Sequence, residues 1–158
     1  IIAPHETEKK AIRRLQEKID LSVVLYSEAT ELNVTDADVI IIDNVGILSN
    51  VYQYADIAFI GGGFGKGIHN ILEPASFAVP VVFGPNYHKF NEAVDMVNRS
   101  LAFSVGKYRG FENKLIDLFF VKGSVDSLKW RIAEYIQSRK GASEIVVSGM
   151  EKLISESK

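Results

Sequence analysis

Apolar, β-branched runs alternate with helical patterns along this chain, and the alternation predicts its architecture. Ile1-Ile2-Ala3 reads as the end of a strand. A charged helix follows from about Thr7 to Ile19, with Ala11, Ile12, Leu15 and Ile19 recurring at helical spacing. Val23-Val24-Leu25-Tyr26 is the next strand. Val39-Ile40-Ile41-Ile42 is continuously apolar, which predicts a strand buried on both faces. Ile47 to Tyr54 reads as a short helix, and Leu72 to Val79 as another. Ile57 to Ile60, Pro80 to Phe83 and Ala102 to Val105 complete the strands, with a helix over Lys89 to Asn98 between the last two. From Phe111 onward the pattern turns helical: Glu112–Phe120, Val125–Arg139 and Ala142–Glu156 are predicted to pack on the sheet edges. Alternation of this kind predicts an α/β fold, a doubly wound, Rossmann-like parallel sheet wrapped by helices. There is no repeat, low-complexity tract or internal linker, so residues 1–158 read as one domain.

Composition narrows the function without naming it. The 158 residues suffice for one domain with a real core. With 18 basic and 20 acidic residues the net charge is −2, which argues against a broad basic surface and a nucleic-acid partner. The absence of cysteine excludes disulfides and thiolate metal sites. The three histidines have no metal-ligand spacing, so no metal is expected. No apolar run approaches the ~20 residues that span a bilayer, and no signal peptide opens the chain. A start at Ile1-Ile2-Ala3-Pro4, with no Met, predicts a fragment of a longer chain.

The densest chemistry lies in Gly61-Gly62-Gly63-Phe64-Gly65-Lys66-Gly67-Ile68-His69-Asn70-Ile71-Leu72-Glu73-Pro74, between a strand and a helix. Glycines let a backbone come close to a ligand, and the first turn of a helix offers unpaired N–H groups to an anion. Phosphate or carboxylate binding is therefore expected at Gly62, Gly63, Gly67 and on to Asn70, with the loop on the rim of the sheet rather than in its core. His69 reads either as a side-chain donor to that anion or as a structural hydrogen-bonding residue. Asn70 is most simply the N-cap of the following helix. Glu73 reads either as a carboxylate for vicinal ribose hydroxyls or as a first-turn acid complementing the helix dipole. Three further loops follow strands on the same predicted rim: Pro4-His5-Glu6, Asp43-Asn44-Val45-Gly46 and Gly84-Pro85-Asn86-Tyr87-His88. The glycine loop fits neither the Walker pattern nor the first-strand dinucleotide fingerprint.

The runs Tyr54 to Gly63, Gly67 to Ala75 and Val79 to Pro85 resemble the 3-deoxy-D-manno-octulosonic acid (Kdo) transferases of lipopolysaccharide synthesis. The His69-Asn70-Ile71-Leu72-Glu73-Pro74 core with its flanking strands carries most of that resemblance. Ala3-Pro4-His5-Glu6 and the loop from Asp43 to Leu48 fall where the family's C-terminal half has further motifs, and the resemblance runs from about Ile1 to Asn98. It implies one half of a GT-B glycosyltransferase, the donor-binding domain that holds CMP-Kdo. His5, Gly46, Ile47, Gly62, Gly63, Gly67, His69, Asn70, Glu73 and Asn86 are the substrate-binding residues it implies. The family transfers Kdo to a lipid A precursor at the cytoplasmic face of the bacterial inner membrane. The resemblance places the catalytic carboxylate, the acceptor surface and the membrane anchor in an N-terminal half outside these residues. No catalytic residue and no cofactor are then expected in this chain, and membrane contact only through that other half; the fragment itself is expected to be soluble. Two departures stand out. His5 stands in the region of a family arginine, and Ile68 replaces the second glycine before the histidine. The alternatives are the donor domain of another GT-B enzyme or UDP-sugar epimerase, and a non-catalytic nucleotide-binding module.

Overall fold

The computed structural model describes residues 1–121 and 123–156. Two compact units divide the chain, Ile1–Val51 and the part from Tyr52 onward. Every strand pair in either unit is parallel, as the alternation predicted.

The first unit holds α1 (Lys9–Gln16), β1 (Val23–Leu25), α2 (Glu31–Val34), β2 (Val39–Ile41) and α3 (Leu48–Val51). β1 and β2 pair in register Val23 with Val39 through Leu25 with Ile41. The expected strand at Ile1–Ala3 shrinks to one bridge. Ile2 N–H donates to the Ile40 carbonyl at 2.8 Å, and the Ile2 carbonyl accepts from Ile42 N–H at 2.8 Å. Pro4 follows with no N–H to extend the ladder. Ile41 and Ile42 are buried, but Val39 and Ile40 are only half-buried, so the two-faced burial predicted for this run is incomplete. The sequence pattern missed α2, whose signal is polar: Thr30 and Asn33 form a reciprocal capping box.

The second unit carries β3 (Ala58–Ile60), α4 (Leu72–Ser76), β4 (Val81–Phe83), α5 (Asn91–Asn98), β5 (Ala102–Ser104), α6 (Tyr108–Phe120), α7 (Ser124–Ser138) and α8 (Ala142–Glu156). Its sheet runs β3-β4-β5, so α4 and α5 are crossovers between neighbouring parallel strands. The single expected sheet is thus resolved into two ladders, one in each unit. β4 is the central strand, and Val81, Val82 and Phe83 are all fully buried. Around it pack Ala75 of α4, Ala93 and Met96 of α5, Leu118 of α6, and Leu128 and Ile132 of α7. α4 ends sooner than Val79 because Ala78 turns left-handed, at φ +59°, and Val79 N–H closes back on the Pro74 carbonyl. α8 departs from its expected role: Ile145, Val146, Met150 and Ile154 stay exposed.

Candidate functional site

The glycine loop leaves the carboxyl end of β3 as a chain of turns, and four of its carbonyls are taken up by hydrogen bonds. The Gly62 carbonyl accepts from Gly65 N–H at 2.9 Å, and the Gly61 carbonyl from His69 N–H at 3.2 Å. The Gly63 carbonyl accepts from Asn86 N–H at 2.9 Å, and the Asn86 Nδ2 donates to the Gly65 carbonyl at 2.7 Å. Among the described residues, the N–H groups of Gly62, Phe64, Lys66 and Gly67 meet no backbone carbonyl. Carbonyls already bonded and amides left over is the polarity of an anion receptor. An open cleft of about 410 Å³ lies along this stretch, lined by Gly62, Phe64, Gly65, Lys66, Gly67 and His69.

The glycines serve two different purposes. Gly62 has φ +84°, and a Cβ there would stand 2.2 Å from the Gly67 carbonyl oxygen, so this tight return of the loop admits no side chain. Gly63 is buried and faces inward, not toward the cleft. A Cβ on it would lie 2.6 Å from the Gly84 nitrogen and 2.9 Å from the Ile68 side chain. Gly84 is equally blocked, since its Cβ would lie 2.5 Å from the Gly63 carbonyl carbon. The loops after β3 and β4 are therefore pressed backbone against backbone. The loop was expected to lie wholly on the rim. Gly61, Gly62 and residues 64–66 do so, whereas Gly63 belongs to the packing beneath.

Asn70 does a capping job one position early. The formal cap of α4 is Ile71, but the Asn70 Oδ1 accepts from Leu72 N–H at 2.9 Å. Its Nδ2 donates to Glu73 Oε1 at 3.0 Å, which holds the half-buried carboxylate over the first turn. α4 has only five residues, so its macrodipole contributes less than the longer predicted helix would. Tyr52 stands near Glu73. Burial first, and the Glu73 charge second, push its phenol above the ordinary tyrosine value. Sequence reasoning missed Tyr52, because no local pattern links it to a residue in another element. Asn86 enters as a strut of the glycine loop through both its backbone and its side chain.

The remaining expected residues lie in the first unit. His5 is exposed just past the Ile2 bridge. Gly46, with φ +94°, is exposed in the loop after β2, and the Ile47 carbonyl accepts from Asn50 and Val51 to start α3. Asp43 anchors the start of that loop. Its carboxylate accepts from Ser27 N–H at 2.9 Å and from Ser27 Oγ at 2.5 Å, tying the carboxyl ends of β1 and β2. The Ser27 hydroxyl holds the Asp43 carboxyl below its ordinary value. Among the described residues no group of three His, Cys, Asp or Glu side chains is placed to hold a metal ion, and no helix is long and apolar enough to cross a membrane.

A parallel α/β domain with a glycine-rich cleft beyond β3 defines the class, and comparison with known proteins places it further. No protein-family model matches the chain. The chain is similar to 3-deoxy-D-manno-octulosonic acid transferases, as its motifs implied. It is 37% identical over 92 residues to that of Aquifex aeolicus, covering 57% of this chain and 26% of the relative. It is 38% identical over 108 residues to that of Chlamydia muridarum, covering 66% of this chain and 25% of the relative. The Rickettsia prowazekii transferase aligns over 127 residues at 28% identity, 80% of this chain and 26% of the relative. The chain thus spans about a quarter of the length of these curated relatives. Its fold matches the crystal structure of the C-terminal CMP-Kdo binding domain of WaaA from Acinetobacter baumannii. The TM-score is 0.73 at 22% identity, over 85% of this chain and 71% of that one.

Proposed function

We propose that this chain is the donor-binding part of a two-domain, GT-B Kdo transferase, and that it binds CMP-Kdo. The single observation that carries this reading is the glycine loop: four bonded carbonyls, leftover amides, and the Asn70–Glu73 pair at its end. Similarity to Kdo transferases, and a fold shared with a CMP-Kdo binding domain, supply the choice of nucleotide. In this reading Gly62, Gly67, His69 and Asn70 face the acidic part of the donor. Gly63 and Asn86 hold the loop in shape, and Glu73 accepts from the ribose hydroxyls. His5, Gly46 and Ile47, in the first unit, are the further substrate-binding residues that the family resemblance implies. The catalytic carboxylate and the lipid A precursor acceptor belong to the other half of the protein, which works at the cytoplasmic face of the inner membrane. The step needs no cofactor, because CMP is itself the leaving group. This chain alone transfers no Kdo.

The test is a thermal-shift panel of CMP, UDP, UMP and GDP, followed by Glu73→Gln in the full-length protein. CMP alone should raise the melting temperature. Glu73→Gln should weaken donor binding by ~1–3 kcal/mol, the range for a charged hydrogen bond left unmade. A shift with UDP rather than CMP would point to a UDP-sugar enzyme. An unchanged donor KM in a folded Glu73→Gln protein would remove Glu73 from the site.

A further inference from the structure

In the second unit Arg99 and Arg139 both pair with Asp95, Lys114 pairs with Asp117, and Lys129 pairs with Asp56. Several other cations of this unit, Lys66, Lys89 and Lys107 among them, pair with no carboxylate among the described residues, and what distinguishes Lys66 is its place in the cleft of the glycine loop. None of the six lining residues is acidic. The cleft therefore carries a cation, and the amides of Gly62, Phe64, Lys66 and Gly67 have no backbone acceptor. Phe64 forms part of the same wall, half of it in solvent, with its ring edge over Gly84. The backbone at Lys66 is flanked by two glycines: Gly65, whose carbonyl is held by Asn86, and Gly67, whose φ is +146°.

We infer that Lys66 is a specificity-determining residue of the donor site, the cation that takes an acidic group of the nucleotide sugar. The inference rests on the donor reading above. The acidic group is either the phosphodiester or the sugar carboxylate. Both need a positive partner with amide donors beside it, and a neutral nucleoside offers neither.

The full-length protein, its Lys66→Gln variant and its Lys66→Arg variant are titrated calorimetrically with CMP-Kdo, CMP, free Kdo and cytidine. Each titration is repeated between roughly 0.05 and 0.3 M salt, across which the screening length shortens. Lys66→Gln should bind CMP-Kdo about ten-fold more weakly, as expected for loss of one charge-assisted contact. Lys66→Arg should recover most of the affinity, and the salt dependence should be shallower in Lys66→Gln than in the parent. Melting temperatures should be unchanged, since the side chain is exposed. A loss shared by CMP assigns the phosphate as the partner. A loss seen with CMP-Kdo and free Kdo, but not with CMP, assigns the carboxylate. Equal affinity and equal salt dependence of parent and Lys66→Gln overturn the inference while leaving the donor reading intact. A parent protein that binds neither CMP-Kdo nor CMP overturns both.

Discussion

The two units are built from the same strand-and-helix grammar, yet they are held together differently. In the second, every residue of β4 is buried, and four helices send buried side chains to the core around it. In the first, the buried hydrophobic residues are Ile12, Ile41 and Ile42, and Val39 and Ile40 of the paired strand remain half-buried. Its strand ends are tied instead by exposed polar bonds. Ser22 bonds to Asp38 and Ser27 to Asp43, while Thr30 and Asn33 cap α2. Buried apolar area stabilises by about 25 cal/mol per Å², whereas an exposed hydrogen bond adds a net ~1 kcal/mol or less. Two similar apolar runs, Val39–Ile42 and Pro80–Phe83, therefore carry different weights. What differs is the cover around them, not the runs themselves.

Two substitutions probe that difference, in falling order of effect. Phe83→Ala removes a fully buried ring from the central strand and should cost ~3–5 kcal/mol. Ile40→Ala in the first unit should cost about half the ~2–5 kcal/mol of a fully buried Ile→Ala change. Amide hydrogen exchange reads each unit separately, so the two losses can be located as well as measured. Equal losses would mean that the first unit is as well packed as the second.

The next pair compares two glycines of one loop. Gly63→Ala would press a methyl group into the Gly84 backbone and should destabilise the second unit by ~1–3 kcal/mol, the range for an overpacked site. At Gly65 a Cβ finds only an ordinary contact, 3.6 Å from the Gly62 carbonyl oxygen, so Gly65→Ala should stay within about 0.5 kcal/mol. Urea midpoints of the two variants test this. If Gly63→Ala melted with the parent, the loops after β3 and β4 would not be in backbone contact.

The smallest effect concerns pH. The folded-state pKa of Asp43 lies below its ordinary value, chiefly through the Ser27 hydroxyl. Its contribution is therefore present above the unfolded carboxyl value of about 3.9 and is lost as pH falls through the lower folded value. Asp43→Asn should weaken protection of the β1–β2 amides at neutral pH and flatten their decline below about pH 4. The β3–β5 amides, in the other unit, should not respond. Identical acid profiles for parent and variant would show that the Ser27 bond adds nothing to the first unit.

Periodicity and residue type made the fold class legible. Parallel strands alternating with helices follow from apolar runs set between 3.6-residue patterns, and the structure places each predicted strand segment in a ladder or a bridge. The core His69 to Pro74 with its flanking strands also pointed to the family likeness that the comparisons bear out. Contacts between distant residues were not legible. The opposition of Gly63 and Gly84, the Asn86 strut, Tyr52 beside Glu73, and the Ser27–Asp43 tie each join residues 16 or more positions apart. A glycine needed for a turn and a glycine needed against another backbone look alike in one dimension. The sequence by itself determined the alternation of strands and helices and where the glycine loop lies. Only the tertiary structure decided which side of that loop is free, because exposure depends on what chain returns to cover it.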